Sequence, residues 1–416
     1  MKKYFALLCV FLAVFSGCGS PLMWNILSPK LVYSGPFGSG TTTDPFRVYD
    51  VKTLKQVGSG IDGWDLDANY RQVENIDLSK EKQSWAPIGD RHTGSNDSCF
   101  TGSYDGKGDD GALKTITGLT INSTNAYQGL FGYIIDTAGD GSSGVVKNVT
   151  LKKITIKGGS NTGGVAGQNE GTVEYCTITG NSRISGAMNV GGIVGVNYNI
   201  IIGCAAIGCN IEGTDYNNRG GIAGCNYSSI DSCFATGNVN GSFNVGGIVG
   251  NNNGGSISNC YATGDVTGSR TTTNAGGVAG SNSAGSLENC YATGKVSGVD
   301  VLGGIVGYYN GNDVRNCVAL NASIVGNSAS QYGRVAGSVV SGDLLDNYGK
   351  NPMQVKLGTI TTGSAGDKNG ENFTSWYSIT WTGLHPDKET AATAVQSPGG
   401  SPWWYTGVGN PRLWFE

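Results

Sequence analysis

Between residues 121 and 345 the chain alternates short apolar runs with clusters of Gly, Asn and Ser. The runs are built from Ile, Val, Tyr and Thr, which together with the bounding clusters are strand and turn signals. A glycine interrupts every few residues, so no i, i+3, i+4, i+7 period survives and helix is excluded. The pattern also repeats. A pentapeptide Gly-Gly-Ile/Val-Val/Ala-Gly stands at 163–167, 191–195, 220–224, 246–250, 276–280 and 303–307, and a degenerate copy, Gly-Arg-Val-Ala-Gly, at 333–337. Self-similarity at a period near 28 residues means stacked identical units.

Each full pentapeptide is followed by a cysteine, 13 or 14 residues beyond its first glycine: Cys176, Cys204, Cys233, Cys260, Cys290 and Cys317. An aliphatic residue lies three positions before each of them: Val173, Ile201, Ile230, Ile257, Leu287 and Val314. A unit of this length holds two or three strands of about five residues with their turns. Alone it cannot bury both faces, so it must stack on its neighbours. A propeller blade needs four strands and a period of about 40–50 residues. The expected fold is all-β: a right-handed parallel β-helix of about seven coils, apolar inside and polar outside. At about 4.8 Å per coil, seven coils make a rod of roughly 35 Å. The paired glycines are expected to supply positive φ or close backbone approach at a shared corner. Asn197, Asn226, Asn252, Asn259, Asn282, Asn289, Asn310 and Asn316 lie near corners, where they take left-handed geometry or form side-chain ladders.

These residues resemble the GLUG motif, a short glycine-rich repeat of bacterial surface and secreted proteins. The copies at 246–266 and 276–296 carry the resemblance best, ending in Asn-Cys-Tyr-Ala-Thr-Gly. Gly-Leu-Phe-Gly at 129–132 looks like a first copy. Asp-Pro-Phe-Arg-Val-Tyr (44–49), Ile-Asp-Leu (76–78), Trp-Ala-Pro-Ile-Gly (85–89) and Phe-Thr-Gly-Ser-Tyr-Asp-Gly (100–106) look like the domain that often precedes such repeats. Tyr-Thr-Gly-Val-Gly-Asn-Pro-Arg-Leu-Trp (405–414) is similar to the usual closing segment. The resemblance implies architecture and surface display rather than a reaction. Some relatives carry the repeat beside a zinc peptidase domain that cleaves immunoglobulin A. This chain has no His-Glu-x-x-His, and its two histidines are His92 and His385, so that activity is not carried over.

The first residues read as a secretory signal: Lys2 and Lys3, then an apolar run from Tyr4 to Phe15, too short to span a membrane. Phe-Ser-Gly-Cys at 15–18 resembles a bacterial lipoprotein cleavage box, with Phe15 in place of the usual Leu. It marks Cys18 as the lipid anchor, which would tie the protein to a membrane; an ordinary signal cut nearby is the alternative. The expected organisation is a signal peptide (1–17), anchor and tether (18–34), amino-terminal β-rich cap (35–120), repeat helix (121–345) and aromatic carboxyl-terminal cap (346–416). The expected location is the cell envelope, as an outer-membrane or surface lipoprotein.

Composition suits an exported, extended protein: 70 glycines, 14% charged residues and a net charge of −4. No basic face for nucleic acid is visible. The cysteine column is expected to be a buried ladder of reduced thiols, although coils about 4.8 Å apart would also permit bridges. No metal or cofactor is expected: Cys-x-x-Cys is absent and histidine is scarce. Catalysis on a β-helix would need paired carboxylates or an acid with a Lys or Arg base. Asp231, Asp265, Glu288, Asp313, Arg315 and Lys295 look scattered, so they read as solvated charges. Asp105, Asp109 and Asp110 mimic a calcium loop but lack its distal Glu, and read as a turn. Trp403, Trp404 and Tyr405 are candidate ligand-binding aromatics, with closure of the last coil as the plainer role. The expected function is non-enzymatic binding of glycan or of a host or neighbouring surface protein. The rivals are a polysaccharide lyase or hydrolase and a structural envelope component.

Overall fold

The computed structural model describes residues 38–90, 98–213, 218–271, 273–326, 331–351, 353–355, 358–360, 368–369, 371–373, 403–404 and 412–413. Their architecture is an all-β parallel solenoid. Strands assemble into sheets of 17, 11, 10 and 6 members, with residues one coil apart as hydrogen-bonded neighbours. One α-helix occurs among the described residues, Val51–Gln56. It is held at its start by a capping box between Asp50 and Thr53. Two described strand pairs are antiparallel: Met353–Val355 with Gly358–Ile360, and Trp403–Trp404 with Arg412–Leu413.

One coil shows how the sequence produces this. Asn244–Gly246 belongs to the six-stranded sheet, Val249–Asn253 and Ser256–Ser258 to the widest, Tyr261–Ala262 to the eleven-stranded and Val266–Gly268 to the ten-stranded. Each pairs in register with the same motif position one coil on: Asn244 with Asn274, Val249 with Ala279, Ser256 with Ser286, Tyr261 with Tyr291, Val266 with Val296. Val245, Ile248, Val249, Ile257, Cys260, Ala262 and Val266 of this coil are all buried in the common core. Every coil therefore buries one apolar ring against the rings above and below, which no coil could do alone.

The pentapeptide glycines are needed for close approach, and none of them has positive φ. A Cβ on Gly247 would lie 2.1 Å from the Gly277 carbonyl oxygen and 2.5 Å from the Ala262 Cβ. The left-handed corner lies elsewhere, at the residue before each cysteine. Tyr175, Gly203, Ser232, Asn259, Asn289 and Asn316 all have φ between 52° and 63°. Of the corner asparagines, Asn259, Asn289 and Asn316 thus take the left-handed role. Asn197, Asn226, Asn252 and Asn282 point inward instead and are fully buried.

Seven coils carry the pentapeptide or its degenerate copy, and parallel pairing extends to both sides of them. Phe46–Val48 pairs with Asn69–Gln72, that strand with Ser103–Asp105, and that with Val145–Lys147. These earlier coils are filled by aromatics. Phe46 stacks on Trp64 with centroids 4.7 Å apart, and Phe100 packs on Phe131 at 4.8 Å. At the other end the degenerate copy replaces two repeat residues. Arg334 stands where the other copies have their second glycine, and its buried guanidinium donates to the carbonyl oxygens of Gly349, Lys350 and Asn369. Asn347 stands where the others have cysteine, and its Oδ1 accepts from the Cys317 N–H at 2.9 Å.

Candidate ligand-binding face

Within the widest sheet, the strand that follows the pentapeptide produces three adjacent rows of side chains. The middle row points inward: Asn169, Asn197, Asn226, Asn252 and Asn282, each in register with the next. Their amides form a continuous ladder. Each Nδ2 donates to the Oδ1 one coil on, at 2.8 Å in every step. The same Nδ2 groups also satisfy corner carbonyls such as Asn199 O and Ser228 O. A buried amide is tolerable only with such partners.

Strand alternation sends the residue that follows each of these asparagines outward. On the corner side these are Glu170, Tyr198, Tyr227, Asn253 and Ser283, with Asn310 continuing the row. Tyr198 and Tyr227 stack face to face, with centroids 4.6 Å apart and planes 4° from parallel. They remain 46% and 40% exposed; each ring covers one face of the other, so the pair presents ring edges and hydroxyls to solvent. Glu170 lies next in the row. It accepts hydrogen bonds from the Tyr133 hydroxyl and, at 2.9 Å, from Gln168 Nε2. Tyr127 packs edge-on against Tyr133 at 5.4 Å. Burial, with Cys225 and Glu170 nearby, raises the Tyr198 phenol above its ordinary value. Cys225, helped by burial, does the same to Tyr227. Both phenols therefore stay neutral donors. Phenol groups and ring edges beside a carboxylate and an amide can hydrogen-bond and pack against a ligand rich in hydroxyls.

Cys176, Cys204, Cys233, Cys260, Cys290 and Cys317 form one buried, unbridged column facing the core. Backbone N–H groups of Cys176, Cys204 and Cys233 each donate to the sulfur one coil on, at 3.3–3.4 Å. Each thiol points at the carbonyl two residues back, as Cys260 Sγ does to Ser258 O at 3.0 Å. Burial pushes the thiols of Cys176, Cys204, Cys260 and Cys317 well above the ordinary range. Cys99, Cys209 and Cys225 are also buried and unbridged.

Residues 215–240, 241–267 and 271–297 each match the model of the GLUG motif. These coils are GLUG repeats. The register shows the same arrangement in the coils before and after the matched segments. Over 159 residues the chain is 33% identical to "Halomucin" of Haloquadratum walsbyi, covering 35% of this chain and 2% of that protein. Over 156 residues it is 30% identical to "Putative Gly-rich membrane protein" of Evansella cellulosilytica, covering 35% of this chain and 16% of that protein. The chain thus spans a small part of the length of these curated relatives. A solved structure described as "a putative immunoglobulin A1 protease from Bacteroides ovatus" aligns with 91% of this chain and 95% of its own. The TM-score is 0.42 and the identity 20%.

The GLUG register also aligns charges that look scattered along the chain. Glu174, Asp231 and Glu288 share one outward row, separated in turn by Ile202 and Ser258 and followed by Arg315. All lie two residues before their cysteine, a signal present in the sequence but visible only when repeats are read down the column. One coil intervenes between each pair, so successive carboxylate positions are about 9.6 Å apart along the stack. Asp231 accepts from Ser232, Ser258 and Asn259, and Glu288 pairs with Arg315 at 2.9 Å. In the earlier coils, Asp109 pairs with Arg47 and Arg71, Asp110 with Lys114, and Asp105 caps the Lys107 N–H. Those carboxylates serve the turn and its neighbours. No group of three or more metal-ligating side chains occurs among the described residues. Cys18 and Tyr405 lie outside the described residues. Trp403 and Trp404 lie in a two-residue strand paired with Arg412–Leu413.

Proposed function

We propose that this GLUG-repeat protein is displayed at the cell surface and binds glycan chains without cleaving them. The binding surface is the outer face of the widest sheet. The observation that carries the reading is the exposed, parallel Tyr198–Tyr227 pair, flanked by Glu170 on one side and by Asn253 and Ser283 on the other. Phenol hydroxyls and ring edges with adjacent amide, hydroxyl and carboxylate groups suit the hydroxyls of sugar rings. Rows that repeat once per coil suit a polymer lying along the stack. The names of the two relatives, a halomucin and a membrane protein, support a surface or membrane location. In this reading Cys18 carries lipid and the terminal Trp403, Trp404 and Tyr405 add a second contact.

The test is retention of the purified protein on a panel of polysaccharides, mucins and matrix proteins, with release of new reducing ends scored alongside. Retention that disappears in a Tyr198→Ala, Tyr227→Ala double variant, with no reducing ends released, supports the reading. Retention that persists in the variant moves the site elsewhere, and preference for a matrix protein replaces glycan as the ligand. Release of reducing ends favours the second reading, a glycan-cleaving enzyme built on the aligned row of Glu174, Asp231 and Glu288. For the anchor, Cys18→Ala is expected to release the protein from the membrane fraction; unchanged association removes Cys18 as the tether.

A further inference from the structure

A cleft of about 410 Å³ opens beside the short helix Val51–Gln56 in the earliest coils. Leu54, Leu78, Trp85 and Ile88, all buried, form its apolar side, and the polar Gln83 and Ser84 also line it. The wall is fixed in place. Trp85 Nε1 donates to the Leu130 carbonyl at 3.1 Å, and the Trp85 backbone N–H to Thr120 at 2.8 Å. The Ile88 N–H is held by the same Leu130 carbonyl at 3.0 Å. The indole is thus not free to swing in and fill the space. The volume falls inside the range of about 300–1,000 Å³ typical of small-molecule sites.

The rim sets opposite charges side by side. Lys55 Nζ lies 2.5 Å from Glu81 Oε2, and both side chains are partly exposed. An exposed pair of this kind contributes little to stability, so a ligand can part it with little loss. What the rim asks of a ligand is an ammonium for Glu81 and a carboxylate for Lys55, close together. Each new contact is a charge-assisted hydrogen bond. What the wall asks is an apolar body, because burying apolar area is the main favourable term there. A neutral sugar uses neither charge, and a fatty acid leaves Glu81 facing a second carboxylate. We propose that this cleft binds a free apolar or aromatic α-amino acid, its charged end between Lys55 and Glu81 and its side chain against Trp85 and Leu78.

Calorimetric titration of the purified protein with L-phenylalanine and L-leucine tests this, with N-acetyl-phenylalanine amide and glucose as controls. The expected result is saturable binding of at least one amino acid and binding at least about tenfold weaker for the capped amide. Glu81→Gln and Lys55→Met, both at partly exposed positions, are each expected to weaken binding about tenfold while leaving the denaturation midpoint unchanged. No saturable binding of either amino acid, equal binding of the capped amide, binding of glucose in their place, or unchanged affinity in both variants overturns the proposal. None of these residues belongs to the tyrosine face, so either site can fail without the other.

Discussion

The coils between Phe46 and Ile135 and those between Gly163 and Gly326 continue the same parallel ladder but fill it differently. The earlier coils contain Phe46, Trp64, Tyr70, Phe100, Tyr104 and Phe131, large rings packed at varied angles from stacked to edge-on. The GLUG coils contain Val, Ile, Ala and Cys, with each position repeating its neighbour's shape. Rings at varied angles hold the former together by local fit. The latter rely on identity between coils: an asparagine ladder, a thiol column and glycines so tight that a methyl group would meet backbone. The consequence is that a substitution among the aromatics breaks one contact set, whereas one in a ladder strands polar groups in the coils above and below.

Alkaline titration separates the two regions most strongly. Burial is outweighed at Cys233 and Cys290 by hydrogen bonds from neighbouring thiols, which lower both, but six buried thiols, Cys176, Cys204, Cys209, Cys225, Cys260 and Cys317, have raised folded-state pKa values, Cys209 to about 12 and Cys225 to about 11. Their unfolded counterparts ionise near the ordinary value, about 8.5. The stability these groups contribute is therefore complete below that value and is lost as pH rises through the folded pKa. The slope is about 1.4 kcal/mol per pH unit for each thiol. Tyr70 and Tyr104 are raised by burial in the same sense, but from an ordinary value near 10. Denaturant midpoints measured from pH 7 to 11 are expected to fall from about pH 9 in the GLUG coils and later in the aromatic coils. A single transition that starts only above pH 10 would mean that the thiols do not titrate on unfolding, as bridged cysteines would not.

Core truncation comes next. Phe131→Ala should destabilise by about 3–5 kcal/mol, since Phe131 is fully buried between Phe100 and Tyr104. Equilibrium denaturation measures it, and a value under about 1 kcal/mol would show that neighbouring rings refill the space. Asn226→Ala should cost about 1–3 kcal/mol, because Asn252 Oδ1 loses its donor and Asn197 Nδ2 its acceptor inside the core. The outward Asn253→Ala should change stability by less than about 0.5 kcal/mol. Equal effects of the two would deny the ladder any role. A change of opposite sign is expected at the left-handed corner. Ser232, at φ 54°, is replaced by Gly203 one coil earlier, so Ser232→Gly should be neutral to stabilising, by about 1 kcal/mol at most.

Much of the fold could be read from the residues because the repeat multiplies every weak signal. One Gly-Gly or one Ile-x-x-Cys says little, but six aligned copies specify the strands, the coil length and the cysteine column. The shift in cysteine spacing from 13 to 14 was also readable, and the structure gives its cause. Later coils insert one residue at a corner, where Gly254 and Ala284 turn with positive φ. The candidate site was not readable in the same way. Tyr198 and Tyr227 occur at that position in two coils only, so nothing periodic marks them. Likewise Arg334 and Asn347 look like decay of the repeat. In the structure both offer hydrogen bonds to backbone that regular repeat residues satisfy elsewhere.

What the sequence determined by itself was the unit: its length, its strands, and which apolar residues recur at fixed offsets. Those follow from local steric preference and from the need of each coil to bury one face. What only the tertiary structure decided was the use of residues that the motif treats alike. Asn197 and Asn259 both follow corner patterns, yet one is a buried ladder amide and the other a left-handed turn. Glu174, Asp231 and Glu288 stand far apart in the chain yet share one row. The reason is physical: whether a side chain is buried, paired or exposed depends on the coils stacked above and below it, and those lie about 28 residues away in either direction.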